Sequence, residues 1–108
     1  MLKVNRDLLN VKIAINLMEF YLQQEKVSEF EGNFILKELE KSKHEIKKEI
    51  IQDFEEIFTN TMIELDIEDW WVLADSEDFK TVEKRCADLE NYDSKLFEMW
   101  KTEMMEDI

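Results

Sequence analysis

The sequence predicts an all-α protein, and its composition and its apolar spacing both support that class. The 108 residues include no proline and a single glycine, Gly32, so the tight turns of β-hairpins are disfavoured. Apolar side chains recur every three or four residues through most of the chain. With 44% hydrophobic residues at this length, we expect one helical domain over residues 1–108. It should contain three to four helices, one of them long and central, in an elongated bundle completed by dimerisation.

The first helix is predicted from about Asn5 to Gln24. Its polar side chains occupy a strip only about 60° wide, and almost every other position is apolar. A helix of this kind must be buried on several sides, and in so small a chain a second copy is expected to cover one of them. The predicted oligomer interface consists of Leu8, Ile15, Leu17, Phe20 and, near the other end of the chain, Trp100.

The second helix is predicted to be long. Ser28 and Glu31 match a capping box at its start, and an apolar stripe then continues from Ile35 to Leu65. An unbroken helix over residues 29–65 would span about 55 Å, whereas a compact domain of this size has a radius of gyration near 13 Å. The helix is therefore expected either to bend between Glu40 and His44 or to belong to an elongated dimer.

The remainder of the chain is predicted to form one or two further helices. Residues 66–75 should connect them to the long helix, and Ser76 is a predicted N-cap. Apolar residues then follow a three–four rhythm from Phe79 onward, interrupted at Asp93. Residues 91–94 are accordingly predicted to form a turn, with Asp93 or Ser94 capping a short C-terminal helix.

Charge is concentrated in the middle of the chain. Residues 49–79 contain eleven acidic side chains and no basic ones, and they account for most of the formal net charge of −13. A magnitude of roughly 2–8 is enough to keep a small domain soluble, and a larger surplus destabilises the compact state by self-repulsion. Its sign disfavours direct binding to nucleic acid or to an anionic membrane. The pattern predicts a basic protein partner.

The acidic region also supplies the candidate site residues. Helical spacing places four carboxylates on one side of the long helix, and further acids surround two consecutive tryptophans. The predicted partner-binding residues are Glu49, Asp53, Glu56, Glu64, Asp66, Glu68, Asp69, Trp70 and Trp71. One tryptophan should anchor the core and the other should be exposed, the alternative being that both belong to the core. The alternative is a merely solubilising acidic surface beside a core stripe.

Catalysis is not predicted, and neither a metal nor a cofactor is expected. His44 is the only histidine, and Cys86 occupies an apolar position where it acts as a small hydrophobic residue. Asp53-x-x-Glu56 and Asp66-x-x-Asp69 resemble the Mg²⁺-binding pairs of the all-α nucleotide pyrophosphohydrolases. The region lacks the basic residues that such an enzyme uses to bind phosphate. One cysteine and no uninterrupted apolar segment at the N-terminus predict a cytoplasmic protein without a membrane span.

In size, charge and helicity the chain resembles small acidic inhibitor proteins of phages and mobile elements. These include the DNA-mimicking anti-restriction proteins and some anti-CRISPR proteins. The resemblance implies that the acidic residues stand in for phosphates and occupy a basic, nucleic-acid-binding surface of a partner. The alternative function is that of a helical adaptor or oligomeric scaffold, in which the apolar first and last helices make the contacts.

Overall fold

Five α-helices form the secondary structure of the computed structural model, which describes residues 2–107. They are α1 (Arg6–Gln23), α2 (Glu29–Glu64), α3 (Trp70–Ala74), α4 (Phe79–Ala87) and α5 (Ser94–Glu106). These described residues contain no β-strand, so the all-α prediction is confirmed, with five helices in place of three to four. None of these helices has an apolar stretch long enough to cross a lipid bilayer.

The chain divides into two compact units that differ sharply in charge. Residues 5–48 form a neutral unit, with eight basic and eight acidic side chains. Residues 2–4 and 49–107 form an acidic unit, with six basic and nineteen acidic side chains. The formal charge of −13 therefore resides in the acidic unit alone, and helix α2 contributes residues to both units.

In the neutral unit, local capping signals set the helix boundaries. The Asn5 side chain accepts a hydrogen bond from the Leu8 amide at 2.9 Å and starts α1. The Ser28 hydroxyl accepts one from the Glu31 amide at 3.2 Å and starts α2, as predicted. From there α2 continues without interruption past Glu40 and His44.

The two helices of the neutral unit approach each other closely at Gly32, the only glycine in the sequence. A Cβ atom on Gly32 would lie 2.3 Å from Cδ2 and 2.7 Å from Cγ of Leu22, far inside van der Waals contact. Glycine at this position in α2 therefore makes room for the leucine of α1. Glycine is costly inside a helix, and the close packing against Leu22 is the physical reason that it suits this position.

The acidic unit is built around a cluster of aromatic rings. Phe54 and Phe58 of α2 pack against Phe97 and Trp100 of α5, with ring centroids between 5.3 and 6.1 Å apart. Phe79 of α4 adds contacts at 6.3 to 6.5 Å. Each aromatic pair contributes about 0.5–1.5 kcal/mol beyond its area burial, so the cluster stabilises the packing of α2, α4 and α5 in this unit.

Helices α4 and α5 are joined by a corner that the N-terminal residues reinforce. The Asp93 carboxylate accepts from the Leu96 amide at 2.9 Å and caps α5, as the sequence predicts. The Lys3 amide donates to the Ser94 hydroxyl at 2.9 Å, and the Ser94 amide donates to the Lys3 carbonyl at 2.8 Å. The Lys3 ammonium donates to the carbonyls of Ala87 and Leu89 at 3.4 and 3.3 Å, close to the end of α4. A cation suits that position because helix C-termini carry a partial negative charge.

Helix α3 is the element that the sequence did not predict. It occupies most of the second half of the expected connection, and its Leu73 and Ala74 are buried. The prediction that Ser76 starts the next helix is wrong. Its hydroxyl instead donates to the Leu73 carbonyl at 2.9 Å, so it satisfies a carbonyl at the end of α3.

Candidate partner-binding surface

The acidic side of α2 has two free carboxylates and two that are engaged within the chain. Glu49 and Glu56 are exposed, two turns apart on the same side of the helix. Asp53, between them, is half-buried and accepts a hydrogen bond of 2.6 Å from the Asn91 side chain. Asp53 therefore contributes to the fold as well as to the negative surface.

Glu64, the fourth predicted carboxylate on this side, forms an ion pair with a residue of α4. The Arg85 guanidinium lies 2.6 Å from the Glu64 carboxylate and also donates to the buried Thr61 hydroxyl at 3.1 Å. Helix α2 has no basic residue of its own in its last turn, where the helix dipole disfavours an anion. Arg85 supplies the missing positive charge, so Glu64 is less available to a partner than Glu49 or Glu56.

Three more predicted acids lie between α2 and α3, and all three are exposed. Asp66 follows the C-cap of α2 with φ of 54°, and Asp69 occupies the N-cap position of α3 without a side-chain capping bond. Glu68 lies between them. Because Asp66 and Asp69 are outside the helices, they do not form the i, i+3 helical pair of a pyrophosphohydrolase site.

The two tryptophans that follow differ in exposure. Trp71 is 48% exposed, whereas Trp70 is half-buried, and their rings meet edge-on with centroids 6.0 Å apart. An exposed tryptophan next to several carboxylates combines stacking surface and negative charge, the two features that attract Lys and Arg side chains.

A groove of about 560 Å³ opens between α2, α3 and α5 of the acidic unit. Its apolar lining comes from Phe58, Trp70, Trp100 and Met104, and its carboxylates are Glu55, Glu103 and Asp107. No basic residue lines it, and within residues 2–107 none of these three carboxylates forms an ion pair. We call this site the acid-rimmed groove.

The sequence prediction included Trp70 but missed the other residues of the groove. Glu55 projects from the opposite side of the α2 core stripe to the four predicted acids. On α5, Trp100, Glu103, Met104 and Asp107 follow the i, i+3, i+4, i+7 spacing of one helix face. That mixed aromatic and acidic face is a signal that the sequence did contain.

The thiol of Cys86 is not available as a nucleophile. The Cys86 side chain is fully buried, and burial, followed by the negative charge of Glu83, raises its thiol pKa to about 12. A protonated, inaccessible thiol is a poor nucleophile. Across residues 2–107, no three His, Cys, Asp or Glu side chains converge closely enough to hold a metal ion.

A second exposed surface lies on α1 in the neutral unit. Leu8, Val11 and Ile15 are buried on one side, whereas five large apolar residues are between 38% and 50% exposed on another. We call these five the α1 outer stripe: Leu9, Ile13, Leu17, Phe20 and Tyr21. They fall within an arc of about 120° at 100° per residue.

The residues of the predicted oligomer interface fall into a buried group and an exposed group. Leu8, Ile15 and Trp100 are buried within the folded chain, at 1%, 6% and 8% exposure, and Trp100 lines the acid-rimmed groove rather than a surface beside α1. Leu17 and Phe20 are about half exposed and belong to the α1 outer stripe.

Comparisons of the chain with protein-family models, with curated proteins and with solved structures gave no match.

Proposed function

We propose that the protein is an acidic binding protein that occupies a basic, nucleic-acid-binding surface of a partner protein and thereby inhibits it. The observation that carries the proposal is the segregation of charge. The acidic unit bears the whole formal charge of −13, whereas the neutral unit has equal numbers of acidic and basic side chains. A surplus needed only for solubility has no reason to be confined to one unit.

Inhibition of this kind needs neither catalysis nor a cofactor. The exposed carboxylates Glu49, Glu56, Asp66, Glu68 and Asp69 would take the place of nucleic-acid phosphates, and Trp71 would add a stacking surface. Asp53 and Glu64 would contribute to the field while holding Asn91 and Arg85. Such an inhibitor would act in the cytoplasm, as the phage-type anti-restriction and anti-CRISPR proteins do.

The decisive experiment is competition with nucleic acid. Partners recovered with the tagged protein from a bacterial lysate should be basic, and a DNA or RNA ligand of the recovered partner should displace the protein from it. Because screening shortens the Debye length from above 10 Å to a few ångströms, affinity should fall by orders of magnitude between about 50 and 500 mM salt.

Matched charge reversals locate the contact surface. Substitution by lysine should abolish partner binding when it is made together at four exposed acids of the acidic unit: Glu49, Glu56, Glu68 and Asp69. Lysine at the neutral-unit acids Glu29, Glu31, Glu38 and Glu45 changes the net charge equally and should leave most of the affinity. Equal losses in both variants, or a partner that nucleic acid cannot displace, would refute the proposal.

The second candidate function is that of a self-associating scaffold, and the α1 outer stripe favours it. Five half-exposed side chains leave roughly 400 Å² of apolar surface, about half of what each partner buries in a standard interface. Light scattering should then give a mass above the 13.1 kDa monomer. Phe20→Glu should restore the monomer and Asn16→Glu, a change at an exposed polar position of the same helix, should not. A monomeric wild-type protein at all concentrations would exclude the scaffold.

A further inference from the structure

The acid-rimmed groove combines an apolar lining with uncompensated negative charge. Its apolar lining consists of three aromatic side chains and a methionine, and its volume of about 560 Å³ is within the usual range of ligand sites. Three carboxylate residues line it, and within the described residues none is paired with a cation. The groove is therefore complementary to a group that is flat or apolar and positively charged.

The molecule binds one of its own cations in the same manner elsewhere in this aromatic cluster. The Lys101 ammonium lies 2.6 Å from a Glu83 carboxylate oxygen and 5.7 Å from the centre of the Phe79 ring. Phe79 stacks against Trp100, whose side chain also lines the groove. The hydrogen bond to Glu83 raises the pKa of Lys101, as expected for a cation in a stabilising site. An aromatic ring and a carboxylate together thus suffice to fix an ammonium group on this unit.

We propose that the acid-rimmed groove binds an arginine side chain presented by the basic partner. The inference rests on the proposed function, because that function supplies a partner rich in basic residues. Arginine fits better than lysine, since its planar guanidinium stacks on aromatic rings and pairs with carboxylates through two parallel hydrogen bonds. Glu55, Glu103 and Asp107 would hold the charge, and Trp70 would contact the plane.

The test titrates the whole protein with a short peptide, acetyl-Gly-Arg-Gly-amide. Because its termini are blocked, the arginine side chain carries the only charge of the peptide. Each of the three tryptophans gives its own indole N–H signal in an NMR spectrum of the ¹⁵N-labelled protein. Titration should shift the signals of Trp70 and Trp100, which line the groove, in a saturable way. The lysine peptide should bind more weakly, and the citrulline peptide, an uncharged analogue of the arginine one, should not bind.

Paired variants separate the groove from the general negative field. Glu55→Gln with Glu103→Gln should weaken binding of the arginine peptide roughly fivefold. Glu77→Gln with Glu90→Gln removes the same charge from exposed positions of the acidic unit outside the groove, and should have little effect. Thermal melts of both variants establish that each is folded.

The proposal is overturned if the titration does not saturate, if the citrulline peptide binds equally, or if both variant pairs weaken binding to the same extent. Its failure is distinguishable from failure of the proposed function. Partner binding that responds to the four lysine substitutions while the arginine peptide does not bind would refute the groove alone. If the arginine peptide binds saturably but the four lysine substitutions leave partner affinity unchanged, the inhibitor function is refuted and the groove remains a cation site.

Discussion

Two non-glycine residues of the described chain, Glu25 and Asp66, have positive φ angles of 56° and 54°. Each follows a helix C-cap, where the chain reverses with the hydrogen-bond pattern of a Schellman motif. After α1 the Lys26 amide donates to the Tyr21 carbonyl at 3.0 Å, and after α2 the Ile67 amide donates to the Met62 carbonyl at 2.9 Å. Glycine normally occupies this position because a Cβ is strained there.

Replacing Glu25 by glycine should therefore stabilise the protein. The left-handed conformation costs an L-residue about 1–2 kcal/mol, and the greater freedom of glycine in the unfolded chain returns part of this. We expect the free energy of unfolding, measured in urea, to rise by about 0.5–1 kcal/mol. Glu25→Ala, which removes the charge but keeps a Cβ, is the control and should give no gain. A gain of the same size in both variants would assign the effect to charge.

A second prediction at the scale of one residue concerns how the buried thiol of Cys86 makes stability depend on pH. Its pKa is about 12 in the folded protein against 9.0 for an ordinary thiol, so the folded state holds its proton more tightly than the unfolded state. The stabilising contribution is complete below pH 9 and is lost as pH rises toward 12. At about 1.4 kcal/mol per pKa unit, the loss amounts to a few kcal/mol.

Urea unfolding of the wild type and of Cys86→Ala between about pH 8 and pH 11 measures this contribution. The alanine variant should be less stable near pH 8, because it leaves a cavity. The difference between the two proteins should then shrink as pH rises, since only the wild type loses the thiol contribution. Parallel stability curves would show that the thiol does not titrate on unfolding.

At the scale of single helices, the contact between Gly32 and Leu22 determines how α1 and α2 pair. Glycine to alanine inside a helix ordinarily stabilises it by about 1 kcal/mol. Here the new Cβ would lie 2.7 Å from Leu22 Cγ, an atom that cannot move aside as easily as a terminal methyl group. Gly32→Ala should therefore destabilise the protein by about 1–3 kcal/mol.

A double-mutant cycle provides the control for this contact. In a Leu22→Ala background the clash is gone, so Gly32→Ala should become neutral or stabilising by up to about 1 kcal/mol. Thermal or urea unfolding of the four proteins gives the coupling energy. Additive effects of the two substitutions would mean that Leu22 does not restrict residue 32.

The elements that the sequence predicted well are those whose signals are local. Asn5, Ser28 and Asp93 each accept a hydrogen bond from an amide three residues ahead, and a short window of sequence contains both partners. Helix α3 has only five residues and no side-chain cap at its N-terminus, so burial of Leu73 and Ala74 by the rest of the unit stabilises it.

The candidate site was predicted in part for the same reason. Helical periodicity alone places Glu49 and Glu56 on one side of α2. Asp53 accepts a hydrogen bond from Asn91, which is 38 positions away, and Glu64 accepts one from Arg85, which is 21 positions away. Contacts between residues so far apart have no signal in the local sequence. The groove likewise depends on how α2, α3 and α5 meet, which no local pattern specifies.

For the whole molecule, the division of charge between the two units has an energetic consequence. Carboxylates accumulate in the acidic unit with few basic neighbours, and mutual repulsion destabilises its compact state. In the neutral unit the two signs balance, and Glu38, Glu40 and Glu45 each have a lysine three or four residues away on α2, as in the Lys43–Glu40 ion pair of 3.9 Å. Stability alone does not account for such a surplus, whereas a binding role does, provided that the cost to stability is measurable.

Neutralising two acids in each part of α2 measures that cost within a single helix. Glu49→Gln with Glu56→Gln relieves repulsion on either side of Asp53 and should raise the free energy of unfolding by about 0.5 kcal/mol. Glu38→Gln with Glu45→Gln, beside Lys41, removes favourable pairs and should lower it slightly. Because screening weakens interactions between exposed charges, both effects should vanish in about 0.5 M salt. If both pairs of substitutions change stability equally, the acidic unit is not under electrostatic strain, and its charge would be compatible with a solubilising role.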